Sequence, residues 1–212
     1  MTASKFESLT GTVDLEFPEY ERPPDDPLRL LRSWIADATE REVREPLALA
    51  LATADARGRP SNRIVALIRV TDDGLVFATH RSSQKGRELA ATGWASGVLY
   101  WRELGRQVVV SGPVGELGEA ESDALWFARP VPMHAMSAAS RQSEPLEDVA
   151  SLRAEATRLE ALGRPLPRPD RYAGYLLRPA AVEFWCASSD RLHRRLRYDA
   201  EAEGWSVRRL QP

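Results

Sequence analysis

Short apolar runs separated by tight turns constrain this chain most. Leu47 to Thr53 is followed by the turn DARGRP, Asn62 to Val70 by TDDG, and Leu75 to Thr79 closes the series. Turns of a few residues join antiparallel strands, because a parallel crossover needs about a dozen residues or more. Ser96 to Trp101 and Gln107 to Glu116 form another such pair around ELGR. Tyr172 to Leu177, Ala181 to Trp185 and Trp205 to Leu210 add strands towards the C-terminus. The pattern predicts a mainly β fold with flanking helices (α+β), and favours a barrel over a doubly wound sheet.

The helices are marked by a change of period. Leu28, Leu31, Trp34, Ile35 and Ala38 share one helical face, with Asp26 as cap and Pro27 in the first turn. This helix should fade near Glu45, before Pro46. SSQKGRELAAT reads as a short helix capped by Ser82 or Ser83, and Ala120, Ala124 and Phe127 mark another. PMHAMSAASRQS is a Met- and Ser-rich connection. A long helix is expected from Pro145 to Gly163, with the stripe Leu146, Val149, Leu152, Ala156, Leu159 and Leu162. Residues 1–26, polar and Pro-containing, read as an N-terminal arm or extension outside the core, and 27–212 as one domain, since no linker divides them.

Composition removes several functions. Lys and Arg number 29 against 31 Asp and Glu, a net charge of −2, which argues against a nucleic-acid coat or a polybasic membrane binder. Cys186 is the single cysteine, so neither an intrachain disulfide nor a Cys-based zinc site can form. His80, His134 and His193 lack metal-ligand spacing, so no metal is expected. The longest apolar run, Leu47 to Ala52, falls far short of the about 20 residues of a membrane span. No secretory signal is visible, and a cytoplasmic location is expected.

Three segments carry more polar chemistry than a plain barrel needs. Ser61-Asn62-Arg63 opens the apolar run IVALI, where Arg63 is either a rim charge or a fork for a phosphate or carbonyl. Thr79-His80-Arg81-Ser82-Ser83-Gln84-Lys85-Gly86 joins strand to helix, as an anion site or as ordinary capping beside a solvated lysine. Lys85 is one of only two lysines. In EFWCASSDRLHRRLRYD, Arg191 and His193 are two apart and would share a face on a strand. That face suits an anionic planar ligand, unless the segment is merely a basic loop.

Taken in order, FPEY…PL, R-I-V-A-L-I, S-S-Q-K, R-Q-V, S-R-Q-S, E-F-W, R-L-H-R-R and the terminal G-W-x-V-x-R-L-x-P resemble the pyridoxamine 5′-phosphate oxidase family of FMN flavoenzymes, from about Phe17 to Pro212. The resemblance implies an FMN-binding split β-barrel and a homodimer holding FMN at the subunit interface. It assigns Arg63 to the start of the flavin strand and Ile64, Val65, Ala66, Leu67 and Ile68 to the flavin wall. Ala78, Thr79 and Ser83 follow as contacts, Gln84 stands where an arginine is usual, and Lys85 matches the phosphate lysine. Gln107 matches a contact near the flavin ring, Gln142 and Ser143 match contacts from the partner subunit, and Trp185 and Arg195 match the last flavin contacts. Arg63, Lys85 and Ser143 would then supply charge and donors to a dianionic phosphate.

The substrate side departs from the vitamin B6 pattern. Ile68, Leu125 and Met133 stand at positions of a lysine, a tyrosine and a serine that grip substrate phosphate, and only Arg129 is kept. R-E-P, W-A-S-G-V-L-Y-W-R-E, S-R-Q-S-E and R-R-L-Q-P are similar to the phenazine-biosynthesis branch, the PhzG-type flavin oxidases. That likeness implies oxidation of partly reduced phenazine carboxylates towards aromatic phenazine carboxylic acids, with O2 as acceptor and H2O2 as product. The substrate would be a small aromatic carboxylate oriented by Arg191 and His193, with His193 assisting proton removal and Arg129 as a second carboxylate contact. Two other functions fit the same residues: a pyridoxine/pyridoxamine 5′-phosphate oxidase of vitamin B6 salvage, and a non-catalytic flavin binder.

Overall fold

The computed structural model describes residues 15–212. Helix α1 (Pro27–Glu40) precedes strands β1 (Ala48–Ala54), β2 (Pro60–Ala66), β3 (Arg69–Val70) and β4 (Leu75–His80). Helix α2 (Gln84–Thr92) leads to β5 (Trp94–Trp101) and β6 (Arg106–Glu116). Three helices follow, α3 (Glu119–Phe127), α4 (Pro132–Ala139) and α5 (Val149–Glu160). The chain closes with β7 (Tyr172–Leu177), β8 (Ala181–Cys186), β9 (Arg194–Ala200) and β10 (Trp205–Leu210). The mainly β architecture with flanking helices and antiparallel pairing is as the turns required.

The sheet runs β10-β9-β8-β6-β5-β1-β2, and β6 also pairs with β7, which pairs with β4. The long β6 makes this possible. Its first half pairs with β5 and β8, and Val114 to Glu116 pair with β7. The sheet thereby curls into the split barrel expected from the resemblance. Leu49, Leu51, Leu99, Val108, Val110, Phe184, Leu196 and Tyr198 face inward.

Helix α1 packs its apolar face on the barrel core. The Asp26 side chain accepts from the Leu28 N–H at 2.8 Å, the predicted cap. Trp34 packs edge-on against Phe17 and Phe184, with centroids 5.0 and 5.1 Å away. Arg106 lies 4.5 Å over the Trp34 ring and donates to Asp37 at 2.8 Å and to the Glu16 carbonyl at 3.0 Å. Leu15 and Phe17 are buried in this core and Tyr20 packs against it, so this part of the expected arm is not outside it; residues 1–14 lie outside the described residues.

Several boundaries differ from the sequence pattern for local reasons. Helix α1 stops at Glu40 rather than near Glu45, because Glu42 takes a positive φ and the Val43 N–H donates back to the Ala38 carbonyl, tucking Val43 into the core. Asn62 to Val70 is two strands, not one. At Leu67 the chain leaves β1, and by Ile68 it bonds to Val76 of β4. Although IVALI is apolar, β2 is an edge strand, and Ile64 is 64% exposed. The PMHAMSAA stretch is helix α4, with Pro132 in its first turn. Helix α5 starts at Val149 rather than Pro145, because Asp148 caps it by accepting from Ser151 N at 3.0 Å. Strand β9 went unrecognised among its arginines.

Candidate active site

Strand β4 delivers Thr79 to the start of α2. Ser83 caps the helix, accepting from Gly86 N at 3.2 Å while its hydroxyl donates to the His80 carbonyl at 2.8 Å. Ser83 is fully buried and its hydroxyl is spent on this turn. A side chain at Gly86 would collide with the carbonyls of His80 and Arg81, so glycine lets α2 seat against the turn. Lys85 points its ammonium at hydroxyls, Thr79 Oγ1 at 3.2 Å and Ser83 Oγ at 3.5 Å. Among the described residues no carboxylate pairs with it. Burial, and then the Arg63 charge, depress its pKa, while Glu88 partly restores it.

Gln142 and Ser143 reach this cluster within the same chain. Thr79 Oγ1 donates to Gln142 Oε1 at 3.3 Å, and the Gln84 N–H donates to Ser143 Oγ at 3.0 Å. Expected as contacts from the partner subunit, they therefore lie beside the Lys85 turn of their own chain. Helix α4 folds back over the end of β4, Arg171 donates to the carbonyls of Ala138 and Ser140, and Ser143 turns the chain with φ of 68°.

Arg63 is anchored rather than extended. Nη1 donates to Thr53 Oγ1 at 2.6 Å and to the Leu51 carbonyl at 3.2 Å, and Nη2 to Ser61 Oγ and to Glu88 Oε2 at 3.3 Å. Glu88, a buried carboxylate that the sequence patterns did not flag, also accepts from Ser61 at 2.6 Å, from Thr53, and from Gln84 Nε2 at 2.9 Å. Burial opposes its charge, but the bonds from Ser61, Thr53, Gln84 and Arg63 outweigh burial and hold its pKa at about 2.

Beside this cluster lies a cavity of about 240 Å³. It brings together Ala66, Ile68, Ala78, Thr79, Arg129, Met133 and Gln142 of the expected site. It adds His80, Ser137 and Tyr172, which sequence reasoning missed as site residues. Leu125 does not line it. Leu125 is buried with Val76 and Leu176, because α3 turns that face onto the sheet. Arg129 donates to Ser137 Oγ at 3.0 Å and sits 5.3 and 5.4 Å over the rings of Trp126 and Tyr172. No described carboxylate pairs with Arg129. His80 is buried, and neither ring nitrogen has a hydrogen-bond partner. Burial first, then the charges of Arg171, Lys85 and Arg129, lower its pKa to about 4, so it is neutral near pH 7.

A second group forms on the outer face of the sheet. Gln107 of β6 pairs with Trp185 of β8, which pairs with Arg195 of β9, so the three stand in one row. Arg195 is fixed by Glu183, with Nε at 2.8 Å and Nη2 at 2.7 Å. Arg191 and His193 lie in the loop between β8 and β9, and Arg191 has φ of 66°. The strand geometry that would have put them on one face is therefore absent. Instead His193 leans on Trp185, centroids 4.9 Å apart, and its Nδ1 accepts from Ser188 N at 3.1 Å. That bond leaves Nε2 as the proton-bearing nitrogen of the neutral ring.

No residue of the second group lines the cavity, and in the sheet β1 and β5 stand between β2 and β6, and β7 between β4 and β6. Among the described residues no cluster of three or more His, Cys, Asp or Glu is placed to hold a metal, and no helix is long and apolar enough to cross a membrane.

Comparison with known proteins gives the arrangement a family. Residues 35–163 match the family described as pyridoxamine 5′-phosphate oxidase, and residues 172–212 match a pyridoxine 5′-phosphate oxidase C-terminal dimerisation region. The second match contains Trp185, Arg191, His193 and Arg195. The chain is 57% identical over 212 residues, all of both chains, to a dihydrophenazinedicarboxylate synthase of Burkholderia lata. It is 52% identical over 206 residues, covering 97% of this chain and 93% of the relative, to the protein of the same name from Pseudomonas chlororaphis. A pyridoxine/pyridoxamine 5′-phosphate oxidase of Thermosynechococcus vestitus is 42% identical over 189 residues, 89% of this chain and 90% of its own. Among solved structures, PhzG from Burkholderia lata 383 in complex with tetrahydrophenazine-1-carboxylic acid superposes with a TM-score of 0.93 at 56% identity, covering 95% of this chain and 100% of that one. With its two parts matched in order and its full length shared with the dihydrophenazinedicarboxylate synthases, the chain belongs to the pyridoxamine 5′-phosphate oxidase family.

Proposed function

We propose that the protein is an FMN-dependent oxidase of phenazine biosynthesis, which takes a partly reduced phenazine carboxylate towards the aromatic acid with O2 as electron acceptor. The cavity carries this reading: one cation without a carboxylate partner, Arg129, faces walls made apolar by Ile68 and Met133. Such a pocket suits a flat ring bearing a carboxylate better than a phosphate ester, whose dianion calls for several charged donors. The PhzG complex with a tetrahydrophenazine carboxylic acid supports the same ligand class.

The residues present fit a flavin phosphate. Lys85 is a half-buried cation bonded only to hydroxyls, beside the N–H groups of the α2 start and the Ser143 hydroxyl. Ala66, Ile68 and Ala78 would flank the flavin ring. When bound, FMN supplies a two-electron acceptor that O2 regenerates with release of H2O2. The chain's own work is to bind and orient. Arg129 holds the carboxylate, and Ile68 and Met133 exclude water from the ring. His193, steadied by Trp185 and Ser188, presents its Nε2–H as a donor to the substrate, and Arg191 adds charge beside it.

In this reading a homodimer completes each site. The Lys85 group of one chain receives the Gln107–Trp185–Arg195 row and the Arg191–His193 loop of its partner, in keeping with the dimerisation region matched at 172–212. The test is anaerobic mixing of the purified yellow protein with a reduced phenazine carboxylate. The flavin colour should bleach and return with H2O2 on admitting O2. A colourless protein that ignores added FMN, or faster turnover of pyridoxine 5′-phosphate, would defeat this reading.

A further inference from the structure

We propose that Glu88 sets the affinity of this site for the phosphate end of the flavin, acting as an internal counter-charge that neutralises Arg63 and leaves Lys85 as the uncompensated cation. The proposal rests on the flavin reading above. Its ground is the bonding of Arg63. Both terminal nitrogens of that guanidinium already serve Thr53, Leu51, Ser61 and Glu88. What Arg63 offers a phosphate is therefore its field rather than a free fork, and Glu88 largely cancels that field.

Gln84 works in the same direction. Its amide is neutral and donates to Glu88 Oε1 at 2.9 Å, so it gives the site no charge. Among the groups bonded in this cluster, two cations and one carboxylate leave a single net positive charge for a dianionic ligand. Glu88 stays ionised in this setting, since four donors saturate it.

Removing the carboxylate charge acts twice, in one sense. Repulsion between Glu88 and the phosphate disappears. Arg63 is also left without its counter-charge in the flavin-free protein, a cost that phosphate binding then relieves. Both effects favour the phosphorylated flavin. Neither touches riboflavin, which has the same ring and no phosphate.

The experiment titrates flavin-stripped protein with FMN and with riboflavin, following flavin fluorescence. In Glu88→Gln the ratio of FMN to riboflavin affinity should rise about tenfold, the scale of one charge removed at several ångströms in a partly buried site. Glu88→Asp keeps the charge and should hold the ratio within about twofold of the parent. A ratio unchanged or lowered in Glu88→Gln overturns the proposal. Should that variant fail to fold, the exposed Gln84 carries the test. Gln84→Lys should raise the ratio and Gln84→Glu lower it, and a flat response overturns the proposal equally. A parent protein that binds FMN no better than riboflavin would instead overturn the phosphate-site reading itself, and the proposal with it.

Discussion

Arg129 owes its position to three neighbours, the Ser137 hydroxyl and the rings of Trp126 and Tyr172. In Arg129→Ala the KM for the phenazine acid should rise about 10- to 100-fold, the worth of one charge-assisted hydrogen bond, while FMN affinity stays put. Steady-state kinetics with a parallel flavin titration checks both. His80 gives a pH prediction of definite sign. Its folded pKa, about 4, lies below the ordinary 6.5, so between those values the unfolded chain binds the extra proton. Stability should therefore fall as pH drops from 6.5 to 4, by about 3 kcal/mol in all. His80→Gln should flatten that part of the melting-temperature profile. Lys85, Arg63 and Arg129 were legible in the sequence because each sits in a recognisable segment. Glu88 was not, because its value comes from Thr53 and Ser61, residues 35 and 27 positions away that only the fold brings to it.

Elements were legible wherever one periodicity ruled. β7 and β10 begin and end where the apolar pattern placed them. β9 does alternate, with Leu196 and Tyr198 inward and Arg195, Arg197 and Asp199 outward, but four charges in seven residues resemble a loop when no partner strand is in view. Those outward charges are matched across the sheet by Glu183 and Arg208. Helix α5 shows a cap overriding an apolar stripe. Asp148→Ala should remove about 1 kcal/mol, lowering the melting temperature by roughly 2–4 °C. For α2 the sensitive point is Gly86. Gly86→Ala drives a methyl into two backbone carbonyls that cannot yield, so α2 should shift, with a loss of about 1–3 kcal/mol. Weakened FMN binding should accompany the lower melting temperature, whereas Asp148→Ala should leave FMN binding intact.

At the scale of the whole molecule, the separation of the two residue groups makes complementation the decisive measurement. Lys85→Ala damages one group and Arg195→Ala the other. Each homodimer should be inactive. A refolded equimolar mixture should regain roughly a quarter of the parental sites, because half the dimers are mixed and each mixed dimer has one intact site by two-fold symmetry. No recovery would mean that both groups serve one site within a single chain. The ends of the chain have a consequence of another kind. The Leu15 carbonyl accepts from Arg194, the Pro24 carbonyl from Tyr198, and the Tyr20 carbonyl from Arg209. Leu15 and Arg194 are 179 positions apart, so the earlier of the two cannot find its place until β9 has been made. Folding should be slow, as contacts of such long sequence separation dictate. Loss of β9 and β10 should strip the partners from the carbonyls of Leu15, Tyr20 and Pro24, and the melting temperature should fall.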